Sequence, residues 1–194
     1  MITTEQVKEL RNRTGLSIMQ CKKALEEAGG DMEKAIVILQ KQSAGIAEKK
    51  AERALGAGAI ASYIHGAGSV GAIVELSCET DFVAKNEEFK ALAYDIAMQV
   101  AANDPQFLKM DDITPDMKKA AEEVFTAETE GKPEDLKAKI LEGKLNAYFG
   151  EQTLLEQAFI KDGDKKIKDL ITGATQKFGE RIEVRRFVRF STKS

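Results

Sequence analysis

The chain has 194 residues, 43% of them hydrophobic and 31% charged, which suits one ordinary globular core with at most a small satellite domain. A formal net charge of -3 leaves no surplus of Lys and Arg to neutralise a phosphate backbone, which argues against nucleic acid as a direct ligand. The opening MITTEQVKEL lacks the apolar stretch of a secretory leader, and no apolar run approaches a membrane span, so a cytoplasmic protein without a membrane partner is expected.

Residues 1–42 divide into three short helices by their start and stop chemistry. Thr3 with Gln6, and Ser17 with Gln20, have the spacing of a capping box, in which hydroxyl and amide satisfy each other's backbone N–H groups. Gly15 and the Gly29-Gly30 pair supply stops, and Asp31 can cap the third helix. On the second helix Ile18, Cys21, Leu25 and Ala28 share the face expected to pack against Val7, Leu10, Ile36 and Leu39. Met19 falls off that face, in a row with Lys22, Lys23 and Glu26. It is either an incidental surface methionine or an adaptable partner contact. Residues 43–58, SAGIAEKKAERALGAG, read as an Ala-rich helical linker made basic by Lys49, Lys50 and Arg53, and the domain boundary is placed there.

GAGSVG, residues 66–71, matches the G-x-G-x-x-G of dinucleotide-binding loops. Such a loop must open a helix that faces the pyrophosphate, whereas Val70, Ala72, Val74, Leu76 and Cys78 alternate with period two. The glycines are therefore expected to turn a hairpin between strands 59–65 and 70–79. CETDFVAKNEEF, residues 78–89, then sets a bulky Phe82 beside Asp81 at the junction from Thr80 to Lys85. Phe82 either anchors this loop in its own core or is held out for a partner. Beyond Asn86, a fitting N-cap, Phe89, Leu92, Ala93, Ile96, Ala97 and Val100 make a helical core face.

Thr114-Pro115 starts a further helix, and Gly131-Lys132-Pro133 and Gly143 punctuate Lys/Glu-rich helices through about residue 149. Asp162-Gly163-Asp164 reads as a turn into a helix with Ile167, Leu170, Ile171, Ala174 and Phe178 on one face, stopped by Gly179. ERIEVRRFVRFS, residues 180–191, alternates as a closing strand that should join the hairpin. Ile182, Val184, Val188 and Phe190 keep phase, but Arg186 falls in their row and Phe187 in the other, which calls for a bulge or an apolar residue on the outer face. Phe187 is thereby an interface candidate.

No catalytic constellation emerges. The single histidine, His65, has no nucleophile or metal-ligand cluster spaced to meet it, and the many carboxylates lie at helical distances from lysines, as on a solvated face. Cys21 and Cys78 lack CxxC spacing and read as small core residues. A protein-binding module without a cofactor or metal is the expectation.

Three segments carry a resemblance. LRNRTGLSIMQCKKALEEAGGDMEKAI resembles the N-terminal helical domain of the translation elongation factor Ts family, ELSCETDFVAKNEEF its signature segment, and LLEQAFIKD with ERIEVRRFVRF its C-terminal segment, together spanning essentially the whole chain in order. Gly15 to Gln20, GLSIMQ, replaces the family's usual Gly-Ala-Gly-Met-Met-Asp; Ser77 stands for an asparagine and Ala158 for a proline. The resemblance implies an α+β fold: a three-helix, ubiquitin-associated-like domain over 1–42, the linker over 43–58, and a core over 59–194 with a three-stranded antiparallel sheet flanked by helices. It implies a guanine-nucleotide exchange factor rather than an enzyme, acting on elongation factor Tu. In the family the Asp-Phe of TDFV inserts between two helices of that partner, beside its magnesium and phosphate site; here these are Asp81 and Phe82, flanked by Thr80 and Val83. By the same carry-over Arg11, Ile18, Met19, Lys22 and Lys50 would contact the partner. The short, single-core form implies a homodimer. An adaptor using the three-helix module for other proteins, without exchange activity, is the alternative.

Overall fold

Each N-terminal helix begins where its cap stands in the computed structural model, which describes residues 2–129 and 133–192. Both capping boxes form, Thr3 with Gln6 and Ser17 with Gln20, and Asp31 accepts from the Lys34 backbone N–H. They open α1 (Thr4–Thr14), α2 (Ile18–Glu27) and α3 (Met32–Lys50). Gly15, at φ 69°, is left-handed and donates to the Arg11 carbonyl, which ends α1 without the strain a Cβ would add. Val7, Leu10, Leu16, Cys21, Ala24, Leu25, Ala35 and Leu39 fill the small core. Ile18, expected on that core face, is instead exposed; Leu16 and Ala24 take the space, and α2 turns its first residue outward.

The third helix does not stop near residue 42. It continues as one helix to Lys50, with the Ser43 hydroxyl buried and donating to the Leu39 carbonyl, so the first part of the expected linker belongs to α3. Two strands follow, β1 (Ala57–His65) and β2 (Val70–Cys78), joined through Gly66 and Gly68 at φ 59° and 87°. These glycines turn a hairpin and open no helix, so GAGSVG has no dinucleotide geometry. Then come α4 (Asp81–Ala84), α5 (Glu87–Asn103), α6 (Pro115–Ala127) and α7 (Glu134–Gln152). Thr114 caps α6 with Pro115 at its first turn. The expected stop at Gly131 and Lys132 lies outside the described residues. Gly143, expected to punctuate, sits inside the 19-residue α7, where a glycine costs roughly 1 kcal/mol of helix propensity.

The expected turn at Asp162-Gly163-Asp164 is a strand. β3 (Ala158–Phe159) pairs antiparallel with β4 (Asp162–Lys166), because Phe159 is buried and the backbone after it folds straight back. The chain ends with α8 (Ile167–Phe178) and β5 (Glu183–Ser191). The main sheet has the order β1-β2-β5. Arg185 against Glu75, and the Thr192 N–H donating to the Ser69 carbonyl, run β5 antiparallel to β2. The fold is α+β, with helices around a three-stranded antiparallel sheet.

The chain forms two compact units. One takes residues up to Ala61, Val74–Asp95 and Lys168–Arg185; the other takes Ser62–Ile73, Ile96–Ile167 and the chain from Arg186 onward. In the first, Val74, Leu76, Cys78, Val83, Phe89 and Ala93 are buried, and Phe89 meets Phe178 edge to face at 6.2 Å. Removing one such phenylalanine from water contributes about 1.5–3 kcal/mol. In the second, Ile96, Ala97, Val100, Phe149, Leu154 and Ile167 are buried around Gln99, whose amide bonds Gln157, the Ala158 carbonyl and the Ile160 N–H.

Candidate functional site

The residues that end β2 and begin α4 have two opposite demands. Cys78 and Val83 are apolar and buried, whereas Thr80, Asp81 and Phe82 between them are exposed. In a helix successive side chains leave about 100° apart, so seating Val83 in the core turns Phe82 away from it. Phe82 is 81% exposed and Val83 is 3%. This decides between the two readings of Phe82: it anchors nothing within its own chain. It also corrects Val83, expected alongside it at the partner surface, which serves instead as the inward anchor of the tip.

Asp81 sits at the first position of α4, with its carboxylate on the Lys85 ammonium at 2.5 Å one turn later. That hydrogen bond and charge, joined by the backbone N–H groups of Asp81 and Phe82, hold its carboxyl below the usual range. Asp81 is thus an anion across the neutral range, next to the exposed ring.

Four residues hold this tip, three of which, Glu79, Glu180 and Arg181, no sequence pattern had marked. The Glu180 carboxylate accepts the Glu79 N–H at 3.1 Å, the Thr80 N–H at 2.9 Å and the Thr80 hydroxyl at 2.5 Å. In return the Glu79 carboxylate accepts the Arg181 N–H at 2.6 Å and lies 3.3 Å from the Arg53 guanidinium. Arg181 donates to the Arg53 carbonyl at 2.7 Å. The Arg181 N–H, foremost, then Arg53, hold the Glu79 carboxyl low, while burial pushes the Cys78 thiol up. Each of these polar residues sits at an element junction, which was visible. The pairings of Glu180 with Glu79 and Thr80, and of Glu79 with Arg181, join positions about a hundred apart and have no periodicity to announce them.

The N-terminal residues expected to contact a partner are exposed on α1 and α2. Met19 is 81% exposed and Ile18 60%; Arg11 is exposed, and Lys22 lies 3.8 Å from Glu26 in a solvent-exposed pair. Lys50 differs. Its ammonium donates to the Gly179 carbonyl at 2.6 Å, at the C-terminus of α8, so it has a partner within the chain.

On β5 the burial phase breaks at Arg185 and Arg186, both exposed. Before the break Ile182 and Val184 are inside; after it Phe187 and Arg189 are half-buried, with the Arg189 Nε donating to the Ala101 carbonyl. Phe187 is therefore not the outer-face residue that the sequence phase made it. Val188 and Phe190 are, with Ile64 of β1 and Ile73 of β2 also exposed. The missed signal was the double arginine, which marks where the strand changes phase. His65, at the end of β1, bonds the Tyr63 hydroxyl through Nδ1 at 3.0 Å. Among the described residues no group of His, Cys, Asp and Glu could hold a metal ion, and no helix is long and apolar enough to cross a membrane.

A family model described as Elongation factor TS matches residues 22–194. The chain belongs to the elongation factor Ts family. Over 190 residues it is 53% identical to the elongation factor Ts of Thermodesulfovibrio yellowstonii, covering 97% of this chain and 95% of that protein. It is 50% identical over 192 residues to the elongation factor Ts of Carboxydothermus hydrogenoformans, with 98% and 88% covered. The elongation factor Ts of Thermotoga petrophila is 48% identical over 189 residues, with 97% and 95% covered. Within this elongation factor Ts chain the departure at GLSIMQ has a structural use: Leu16 is buried, and Ser17 and Gln20 make the box that starts α2.

Proposed function

We propose that this protein is a guanine-nucleotide exchange factor for elongation factor Tu: it binds the GDP form in the cytoplasm and speeds GDP release during translation elongation, with no covalent chemistry. The observation that carries this reading is Phe82, a phenylalanine left 81% exposed beside an anionic Asp81 on a tip that its own chain holds still. A fixed apolar knob with a charge at its base is suited to enter a cleft of another protein. Linkage supplies the rest: if the factor binds the nucleotide-free partner more tightly than the GDP form, GDP binds the complex more weakly by the same factor.

Arg11, Ile18, Met19 and Lys22 provide the grip in this reading, and Lys50 serves the site from within the chain. The protein acts as a homodimer. The unpartnered apolar face of Ile64, Ile73, Val188 and Phe190 suits a second copy, since a two-fold axis brings such a patch against itself. Release of fluorescently labelled GDP from elongation factor Tu tests the activity. The rate should rise with concentration of this protein and saturate; a rate it leaves unchanged removes the reading.

A further inference from the structure

The contacts beneath Phe82 are polar, reciprocal and concentrated on two glutamates. Glu180 spends both carboxylate oxygens on residues 79 and 80: Oε2 takes two consecutive backbone N–H groups, at 3.1 and 2.9 Å, and Oε1 takes the Thr80 hydroxyl at 2.5 Å. Two adjacent amides on one oxygen fix the direction of the backbone entering α4, which is what sets the exit angle of Phe82 two residues on. Thr80 stands at the N-cap of this helix without a side-chain cap bond, its hydroxyl turned instead to donate to Glu180. The four residues of α4 are too few to be a stable helix unaided. The tip therefore depends on what holds its start.

The second glutamate closes the loop. Glu79 accepts from the backbone of Arg181, the residue after Glu180, so each strand of the junction is pinned by the other's side chain. Arg53, just beyond α3, pairs with Glu79, and its carbonyl receives the Arg181 guanidinium. Lys50, in the last turn of α3, donates to the Gly179 carbonyl on the other side of Glu180. The end of the helix that leaves the N-terminal module is thus bonded on both flanks of Glu180.

We propose that Glu180 is a positioning residue for nucleotide exchange, holding Phe82 at its working angle through the Glu79–Thr80 backbone, with Lys50 and Arg53 tying that hold to α3. This rests on the exchange reading above. A knob entering a cleft is sensitive to placement, and a displacement of about 1 Å can cost up to roughly a hundredfold in rate where geometry governs the step. Glu180 itself needs no contact with the partner.

The test compares the full-length parent with Glu180→Ala, Glu180→Gln and Phe82→Ala in the labelled-GDP release assay, alongside amide hydrogen exchange of each protein alone. Glu180→Ala should release GDP about tenfold more slowly than the parent and lose protection at the Glu79 and Thr80 amides. Glu180→Gln keeps an oxygen for the two N–H groups, so it should recover most of the rate and the protection. A structural residue with no positioning role would not give that joint recovery. Parental release by Glu180→Ala, with its Thr80 amide unprotected, would overturn the proposal, as would a Gln variant protected like the parent but as slow as the Ala variant. Should Glu180→Ala fail to fold, Thr80→Val, which deletes only the hydroxyl contact, should slow release two- to threefold; no change there would count against it. A parent that does not speed release at all refutes the exchange reading and this inference together, whereas an active parent with an indifferent Glu180 refutes this inference alone.

Discussion

Phe82 and Phe190 are both left in water, 81% and 66% exposed, and they are held in different ways. Phe82 stands alone on a single helical turn among charges, Asp81 on one side and Lys85 below, and the bonds that support it are carboxylates on backbone N–H groups. Phe190 lies on a strand in a row with Val188, on a sheet face that also exposes Ile64 and Ile73. A lone knob fits a cleft; a flat apolar patch on a sheet fits another flat surface. Under the proposed function the difference gives the two phenylalanines different partners, elongation factor Tu for the first and a second copy for the second, and each proposal can be broken separately.

The largest effect is expected at the patch. A two-fold interface uses every residue twice, so Phe190→Glu removes two phenylalanines from the dimer, about 3–6 kcal/mol, or roughly 10²–10⁴ in dissociation constant. Light scattering at micromolar concentration should show a dimer for the parent and a monomer for the variant. A parent that is already monomeric ends the dimer proposal, and a variant that stays dimeric moves the interface elsewhere.

At the knob the expected change is smaller and purely kinetic. Phe82→Ala should slow stimulated GDP release ten- to a hundredfold, which corresponds to about 1.5–3 kcal/mol of burial made only in the complex. Its thermal unfolding should match the parent, because a side chain this exposed leaves no cavity when truncated. Were it to melt far below the parent, Phe82 would be a core residue in solution and the contrast with Phe190 would collapse. Oligomeric state should not respond to Phe82→Ala, nor should Phe190→Glu abolish the knob's action.

A third exposed apolar residue sharpens the comparison at lower amplitude. Met19 belongs to neither a knob on a clamp nor a sheet patch; it projects from α2 among Lys22, Lys23 and Glu26. Met19→Ala should weaken release about two- to fivefold, visible as a shift in the half-saturating concentration rather than in the saturating rate, with stability within about 0.5 kcal/mol of the parent. A fall in the saturating rate instead would place Met19 with Phe82 in the exchange step.

How much of this could be read beforehand depends on whether the cause was local. Caps and stops were legible because Thr3, Ser17, Asp31 and Thr114 act on their own neighbours within three residues, and all four cap as expected. The hairpin was legible from period two and its glycines. What failed was phase: Ile18 was placed inward, and of the two ways to read the broken β5 row, a bulge or an apolar residue on the outer face, the outer-face one was used for Phe187, whereas burial shows the row flipping at Arg185 and Arg186 as at a bulge. Gly163 and Gly143 misled because a glycine permits a turn or a stop without requiring one. The knob itself was legible only as a question, since an exposed Phe82 follows from a buried Val83, and which of two adjacent apolar residues faces inward is decided by the core they meet. Glu180 was out of reach, its partners being 100 and 101 residues away.

The smallest effect separates the two supports by pH. The Glu79 carboxyl is held low chiefly by the Arg181 N–H that it accepts, then by Arg53. A carboxyl whose folded pKa is depressed contributes stability above its unfolded value, and that contribution is lost as pH falls through the folded value. From an ordinary glutamate value of 4.5, the contribution is therefore complete at neutral pH and fades below about pH 4.5. Residues of the sheet patch, Ile64, Ile73, Val188 and Phe190, carry no ionisable group. Hydrogen exchange, corrected for the intrinsic pH dependence of each amide, should therefore show Arg181 losing protection severalfold between about pH 5 and pH 3 relative to the Val74 amide in mid-sheet. Parallel loss at both positions would mean that the junction opens only with the whole fold and that the polar hold on the knob has no stability of its own to lose.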